Sequence, residues 1–366
     1  MIEALNEKPD FVWRLGLLGL LAAFGLLFVS GVEIWGADFG PLWAAGRAAL
    51  HEPDRIYDFD FITRAQPWLF GSLDKPTLRP FAYPPTALLF LGPLALAPFG
   101  VAWALWTLAT GAAFFVLAIR AGAPRWFVLF TAVIHTASAG QATFLVGALL
   151  LGAFISRNRV LAGVLFGLAA CIKPQAVLLI PVALIATRDW RALFASAATS
   201  GLLTGASVAL WGLDCWLAWL RAVAQFAAIV TAPDFANALI TPFGALVRLG
   251  MDGHAALLMI VPATALVWLV FRRTHDPLYR LLALAGGGLL IGSYAVRYEL
   301  ALLAPTVARE SSSTKLATSI ALVFAMAFWA AGLLALVAAL LLVIPMLRSR
   351  PSLSEQKLAL CNRGER

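Results

Sequence analysis

"RVLAGVLFGLAACIKPQAVLLIPVALIATR" runs from position 159 to 188. An arginine closes each end, and the interior is apolar except at Lys173, Pro174 and Gln175. The pattern predicts two helices, 160–172 and 174–187, folded there and back with the lysine at the far turn. Each run is shorter than the roughly 20 residues that a straight membrane span needs. Short or interrupted helices are tolerated in a bundle where they line a cavity, because protein or water there satisfies the freed backbone.

The rest of the chain follows the same pattern. It has 366 residues, 61% hydrophobic and 13% charged. Soluble domains carry about 45–50% apolar and about 25% charged residues, so this composition is that of an integral membrane protein. The apolar runs are continuous rather than alternating, which excludes an outer-membrane barrel. The fold class expected is an all-α polytopic membrane protein with about 10–12 transmembrane helices, on the roughly 20-residue criterion.

Cutting the apolar runs at charges, glycines and prolines gives helices at 14–35, 101–119, 126–138, 142–156, 160–172, 174–187, 191–212, 255–271, 279–295, 299–308, 316–332 and 334–346. The first is too long for a signal h-region and lacks an A-x-A-like cleavage site. One transmembrane domain is expected over 1–346, with an outer loop at 36–100 and an interfacial segment at 213–253. A basic tail follows at 347–366.

Basic residues fall in the short turns: Arg120/Arg125, Arg157/Arg159, Arg188/Arg191, Arg272/Arg273/Arg280, Arg309/Lys315 and Arg348/Arg350. Lys and Arg in short loops mark the cytoplasmic side. Both termini are therefore expected inside, in a bacterial inner membrane. The net charge of +8 is explained by loops facing an anionic leaflet, so no nucleic acid is implied. The three cysteines have no CxxC or metal spacing, and neither a disulfide nor a metal site is expected.

The other face collects the loop 36–100 and the corners at 139–142, 172–175 and 296–299. The stretch 84–100, with prolines at 93 and 98, is expected to lie on or dip into that leaflet rather than cross it. Chemistry concentrates on loops held by a rigid scaffold, so the candidate residues are sought here.

Asp38 opens a helical stretch at the exit of the first span. It is either an N-cap that satisfies the first helix amides, or a carboxylate near apolar surface with a raised pKa, suited to general-base work. One oxygen for each role is also compatible with the sequence. Tyr83 stands before a double proline, either as an interface tyrosine or as a contact to substrate. Gln141 occupies a corner between two apolar helices. Lys173 is an intramembrane cation, costly unless it meets an anion such as a phosphate; snorkelling to the interface is its bland alternative. Gln175 follows it. Arg297 and Glu299 flank Tyr298 and either pair with each other or present the arginine to a phosphate. Asp58 and Asp60 resemble a DxD metal motif only in spacing. His51, His135, His254 and His275 are scattered and are taken as structural.

The ordered stretches "ADFGPLWAAGRAAL", "RIYDF", "FAYPPTALLFLGPLALAPF", "GQATFLVGALLLGAF", "LAGVLFGLAACIKPQAVLLIPVALIATRDWRAL" and "SYAVRYELALL" resemble the bacterial glycosyltransferase 87 family over roughly residues 30–305. That family includes polyprenol-phosphate-mannose-dependent mannosyltransferases, and many members carry only a domain-of-unknown-function label. The resemblance implies a GT-C fold with an essential aspartate in the first outer loop, at Asp38. It also implies a polyprenyl-phosphate sugar as donor, and a lipid or glycan as acceptor. "RYEL" departs from the Tyr-Asp expected there, with Glu299 in the aspartate's place.

The expectation is inverting sugar transfer at the outer face, with Asp38 deprotonating the acceptor. Lys173 and Arg297 hold the departing phosphate, and Tyr83, Gln141, Gln175, Tyr298 and Glu299 complete the donor site. Phosphate is a good leaving group, so neither a metal nor another cofactor is demanded. A transporter or lipid flippase is the rival, disfavoured because the polar residues cluster at one face.

Overall fold

The computed structural model describes residues 35–66, 79–230 and 232–310, together with 337, 340, 341 and 343–348. The expected spans at 14–35 (except residue 35) and 316–332, about half of 334–346 and the tail beyond 348 lie outside the described residues. The described chain is helical, with one isolated bridge between Leu239 and Val296.

Helix α1 (Phe39–His51) buries Phe39, Leu42, Ala44, Ala45, Ala48 and Ala49. Helix α2 (Phe59–Ala65) starts at Asp58, whose carboxylate accepts the Phe61 amide at 2.9 Å. That bond makes Asp58 a cap rather than half of a metal motif. A 3-10 turn (Pro85–Ala87) leads into α3 (Leu88–Leu94). Together they span ten residues, about 15 Å at the helical rise and too short to cross a bilayer. Chain α1 meets α3 closely at Gly46, where a β-carbon would stand 2.7 Å from the Leu91 carbonyl.

Helix α4 (Phe99–Arg120) has 22 residues, about 33 Å, enough to cross. Helices α5 (Thr131–Ala139) and α6 (Thr143–Ile155) bend by 116° across residues 140–142. Gly140 makes the bend possible: its φ is 72°, and a β-carbon would lie 2.7 Å from Trp103 and 2.8 Å from Phe39. The Trp106 indole then donates to the Gly140 carbonyl at 3.0 Å.

Helix α7 (Arg159–Ile172) starts on Asn158, which accepts two amides, and ends where Pro174 forces Lys173 out of helical geometry. It packs along α9 (Trp190–Val230). The contact is backbone-close because of two glycines on one face of α7. A β-carbon at Gly163 would fall 2.4 Å from the Ala192 carbonyl, and one at Gly167 2.7 Å from that of Ser196. Small residues four apart are the usual means of bringing membrane helices together. Between α7 and α9 lie a 3-10 turn (Pro174–Val177) and the short α8 (Ile180–Ala186). The expected helix at 174–187 is thus α-helical only in its second half, because Pro174 opens a 3-10 turn and the α-helix starts at Ile180 with Pro181 in its first turn.

Helix α9 breaks at Gly212 (φ 76°, ψ 168°), at the expected end of the 191–212 run. Its second half exposes Leu213, Leu217, Leu220 and Val223 on its outside. Short helices α10 (Pro233–Ala236) and α11 (Pro242–Arg248) follow. Then come a 3-10 turn (Gly253–Met259), α12 (Ile260–Arg273) and α13 (Pro277–Ile291), which starts on the Asp276 cap. The stretch expected as a helix at 299–308 is a 3-10 turn (Arg297–Leu302) and a short helix, α14 (Ala304–Glu310). It does not span; the turn carries Glu299 inward. Residues 343–348 form α15 (Val343–Arg348).

Three helical segments among the described residues are long and apolar enough to cross a membrane: 99–120, 190–230 and 253–273. The bent pair α5–α6 makes a fourth if it is one broken span. The protein is an all-α polytopic membrane protein in which most other apolar runs are short helices packed inside. Several basic turns converge at one end. Arg159 pairs with Asp189, and Arg309 with Asp276 at 2.7 Å. Buried Arg280 donates to the Thr274 carbonyl at 2.8 Å, within electrostatic reach of Arg159, Asp189 and Asp276.

Candidate active site

Asp38 occupies the N-cap position of α1 but does not cap it. Its φ and ψ of −95° and −12° are helical, and its side chain makes no hydrogen bond to the helix amides. Caps ordinarily adopt extended geometry, which aims the side-chain oxygen back at those amides. The sequence's capping alternative therefore fails, including the version with one oxygen in each role. What fixes the residue is its backbone. The Gly36 amide donates to the Ser138 carbonyl at 2.7 Å, and the Asp38 amide to that of Ala139 at 3.1 Å. The carboxylate is half-buried beside the α5–α6 bend.

The bend supplies the next residues. Gln141 is buried and accepts a hydrogen bond from the Tyr83 hydroxyl at 3.1 Å. The extended run before Pro84 and Pro85 holds Tyr83 in place. Its carbonyl accepts the Tyr57 hydroxyl at 2.8 Å, and its ring stacks on Phe81 with centroids 5.7 Å apart. Burial, then the carboxylates of Glu299 and Asp38, push the Tyr83 phenol well above its ordinary range. It stays a neutral donor at every physiological pH.

Lys173 does not snorkel. Its ammonium is buried against the Glu299 carboxylate, each side chain 4% exposed. The second Glu299 oxygen accepts the Thr143 hydroxyl at 3.2 Å. Glu299 thus gives its oxygens to Lys173 and Thr143 rather than to neighbouring Arg297. Removing one partner of such a buried pair leaves an uncompensated charge and costs about 3–5 kcal/mol.

Tyr298 is buried next to this pair. Its ring centroid lies 5.5 Å from the Lys173 ammonium, and its hydroxyl 3.2 Å from that of Tyr294. The His135 ring meets it edge-on at 5.8 Å. The Asp38 charge reaches Tyr83, His135, Tyr294 and Tyr298, and the Arg297 charge reaches His135. The residues Asp38, Tyr83, Gln141, Lys173, Arg297, Tyr298 and Glu299 therefore form one polar neighbourhood. Gln175 does not join it: it is exposed on the turn after Lys173.

Three members were missed from sequence. His135, set aside as scattered, lies on the helix that leads into Gln141. Thr143 and Tyr294 sat inside the stretches that carry Gln141 and Arg297, with nothing in their spacing to single them out.

The second half of α9 crosses this neighbourhood. The Trp219 indole donates to the Ala82 carbonyl at 3.2 Å, next to Tyr83. Phe226 packs on Tyr294 at 4.9 Å. Among the described residues no three of His, Cys, Asp and Glu are grouped as a metal site.

This arrangement combines an uncapped carboxylate with a buried lysine, a half-buried arginine and aromatic hydroxyls. A family model, glycosyltransferase family 87, matches residues 81–296. The chain belongs to glycosyltransferase family 87. Within this family 87 enzyme the match includes Tyr83, Gln141, Lys173 and Gln175, and its limits leave Asp38 before it and Arg297, Tyr298 and Glu299 just after it. No curated protein and no solved structure matches the chain.

Proposed function

We propose that this glycosyltransferase moves a sugar, mannose first among the candidates, from a polyprenyl-phosphate donor to a lipid or glycan acceptor. The reaction takes place at the outer face of a bacterial inner membrane, and it inverts the sugar's anomeric centre. The observation that carries the reading is Asp38: a half-buried carboxylate at a helix start with no cap bond, facing a neighbourhood that also contains Lys173 and Arg297.

Asp38 accepts the proton of the acceptor hydroxyl as that oxygen attacks the anomeric carbon. The bond from that carbon to the phosphate oxygen breaks, and its electron pair leaves with the polyprenyl phosphate. The phosphate gains one negative charge in this step. Lys173 and Arg297 face that charge. An ammonium has three donors, so Lys173 keeps Glu299 and still has N–H groups for phosphate. Preorganised charge of this kind lowers a barrier by about 3–4 kcal/mol per donor where water is excluded.

Tyr83 and Gln141 line the path between base and cations, and Tyr298 and Tyr294 offer hydroxyls to the sugar. The exposed apolar side of α9 faces lipid, so a donor tail has a hydrocarbon route to the neighbourhood. No metal or other cofactor enters the scheme. Incubating membranes that hold the enzyme with labelled polyprenyl-phosphate mannose tests it: donor is consumed, and Asp38→Asn abolishes consumption. Donor consumption undiminished in Asp38→Asn contradicts the base; lipid movement across liposomes without any donor consumption would support transport instead.

A further inference from the structure

A second concavity lies at the far end of α1 from Asp38. It has a volume of about 570 Å³ and is lined in part by Trp43, Arg47, His51, Glu52, Phe61 and Arg64. That volume is in the usual range for small-molecule sites, about 300–1,000 Å³. Nothing in the transfer mechanism uses these residues.

The charges in it are unbalanced. Glu52 is turned to Arg55 at 3.5 Å, and Asp58 to the same arginine at 3.4 Å. Glu52, the acid of the lining, is therefore engaged by Arg55, and Asp58 lies outside the lining, within electrostatic reach of both Arg55 and Arg64. Arg47 and Arg64 form no ion pair among the described residues. The Arg47 guanidinium lies 5.1 Å from the Trp43 ring, and the Trp43 indole is fixed by the Ala97 carbonyl at 3.0 Å. The Phe61 ring is covered by the Arg55 guanidinium at 3.9 Å, so what the concavity presents is two guanidinium forks and a histidine. A guanidinium matches phosphate geometry in a bidentate way that lysine does not.

We propose that this concavity is an acceptor subsite for a phosphate carried on a saccharide, held by Arg47 and Arg64. The proposal rests on the transfer reading above, because α1 is what links the two places. Nine residues separate Asp38 from Arg47, about 14 Å along the helix, and thirteen separate it from His51, about 20 Å. An acceptor anchored here by its phosphate reaches Asp38 with a hydroxyl farther along the molecule. The phosphate comes either from a lipid headgroup or from a glycan without a lipid.

The test uses the full-length enzyme in phosphatidylcholine nanodiscs, with mannose 6-phosphate, mannose and inorganic phosphate as probes in calorimetric titrations. Mannose 6-phosphate is expected to bind about 10-fold or more tightly than either of the other two. Arg47→Gln with Arg64→Gln is expected to weaken it by about 10-fold, with the thermal melt unchanged, and Arg297→Gln to leave it within about two-fold. Equal binding by the double variant overturns the proposal, as does an inorganic phosphate affinity equal to that of mannose 6-phosphate. A loss in Arg297→Gln equal to that in the double variant also overturns it, by placing the probe at the other site.

Phosphatidylglycerol added to the nanodiscs assigns the source. Competition in the wild type but not in the double variant supports the site and makes the phosphate a lipid headgroup's. Absence of competition supports the site with a non-lipid glycan. Asp38→Asn separates the two readings: transfer that survives in that variant while Arg47→Gln with Arg64→Gln still loses binding sinks the base and leaves the subsite standing.

Discussion

Lys173 and Glu299, 126 residues apart in the chain, form a buried ion pair at the turn where α7 ends. One comes from a proline-broken helix end and the other from a 3-10 turn, so the pair ties the two halves of the site together. The pair holds the lysine where the account needs a cation.

Glu299→Gln leaves Lys173 buried without its counter-charge. The expected cost is about 3–5 kcal/mol of stability, seen as a lower melting temperature in detergent. Lys173→Met combined with Glu299→Leu is expected to recover most of that stability while leaving transfer absent. Recovery of both stability and transfer in the double variant would remove Lys173 from the mechanism.

Gly140→Ala places a β-carbon at a φ of 72° and within 3 Å of Trp103 and Phe39. The left-handed backbone alone costs about 1–3 kcal/mol in a residue other than glycine. The bend that aligns Gln141 with Tyr83 shifts with it, so the yield of folded protein falls and transfer falls further. Circular dichroism melts and donor consumption measure the two effects separately.

Gly163→Leu and Gly167→Leu force α7 away from α9, because both β-carbon positions already overlap backbone or small side chains. Either change is expected to reduce folded protein in the membrane severely, whereas Gly201→Leu, at an open position on α9, is expected to be neutral. Fluorescence-detected size exclusion of the three variants checks the contrast.

Asp58 gives a pH dependence with a definite sign. Its carboxyl is held below the ordinary value, first by the Phe61 amide and then by Arg55. A depressed folded value means that the support for α2 is complete above the unfolded value, about pH 3.9. It is lost as the pH falls through the lower folded value. The residue is exposed, so the effect is local. The protection of the α2 amides, exchange relative to an unstructured chain at the same pH, is expected to fall below about pH 4, and Asp58→Asn is expected to flatten that dependence.

Much of this was legible in the sequence for plain physical reasons. Continuous apolar runs fix helices in a membrane, and prolines mark their bounds: Pro84, Pro85 and Pro98 stand where helical turns begin and Pro174 follows the end of α7, whereas Pro93 lies inside α3. Lys173 announced itself because an intramembrane cation must meet an anion. Its anion was not legible: the charge balance of a lysine at one turn and a glutamate 126 residues later depends on packing that no local pattern encodes. Arg297 was the natural local partner for Glu299, and the inward 3-10 turn overrides that proximity. Gln175 looked equivalent to Lys173, two residues earlier, but the turn after Pro174 faces it outward. The glycines at 163 and 167 were on view, four apart, yet their use depends on α9 lying alongside. Asp38 had the right residue type for a cap, and only its helical backbone angles show that it does not serve as one.

The measurement closest to the central claim is donor turnover by Asp38→Asn in membranes, with labelled polyprenyl-phosphate mannose and the folded fraction matched to wild type. Loss of a positioned base lowers a rate by about 10²- to 10⁴-fold, and the account predicts a loss of at least the lower figure, with the melting temperature unchanged because Asp38 caps nothing. Turnover at the wild-type rate in that variant would contradict it.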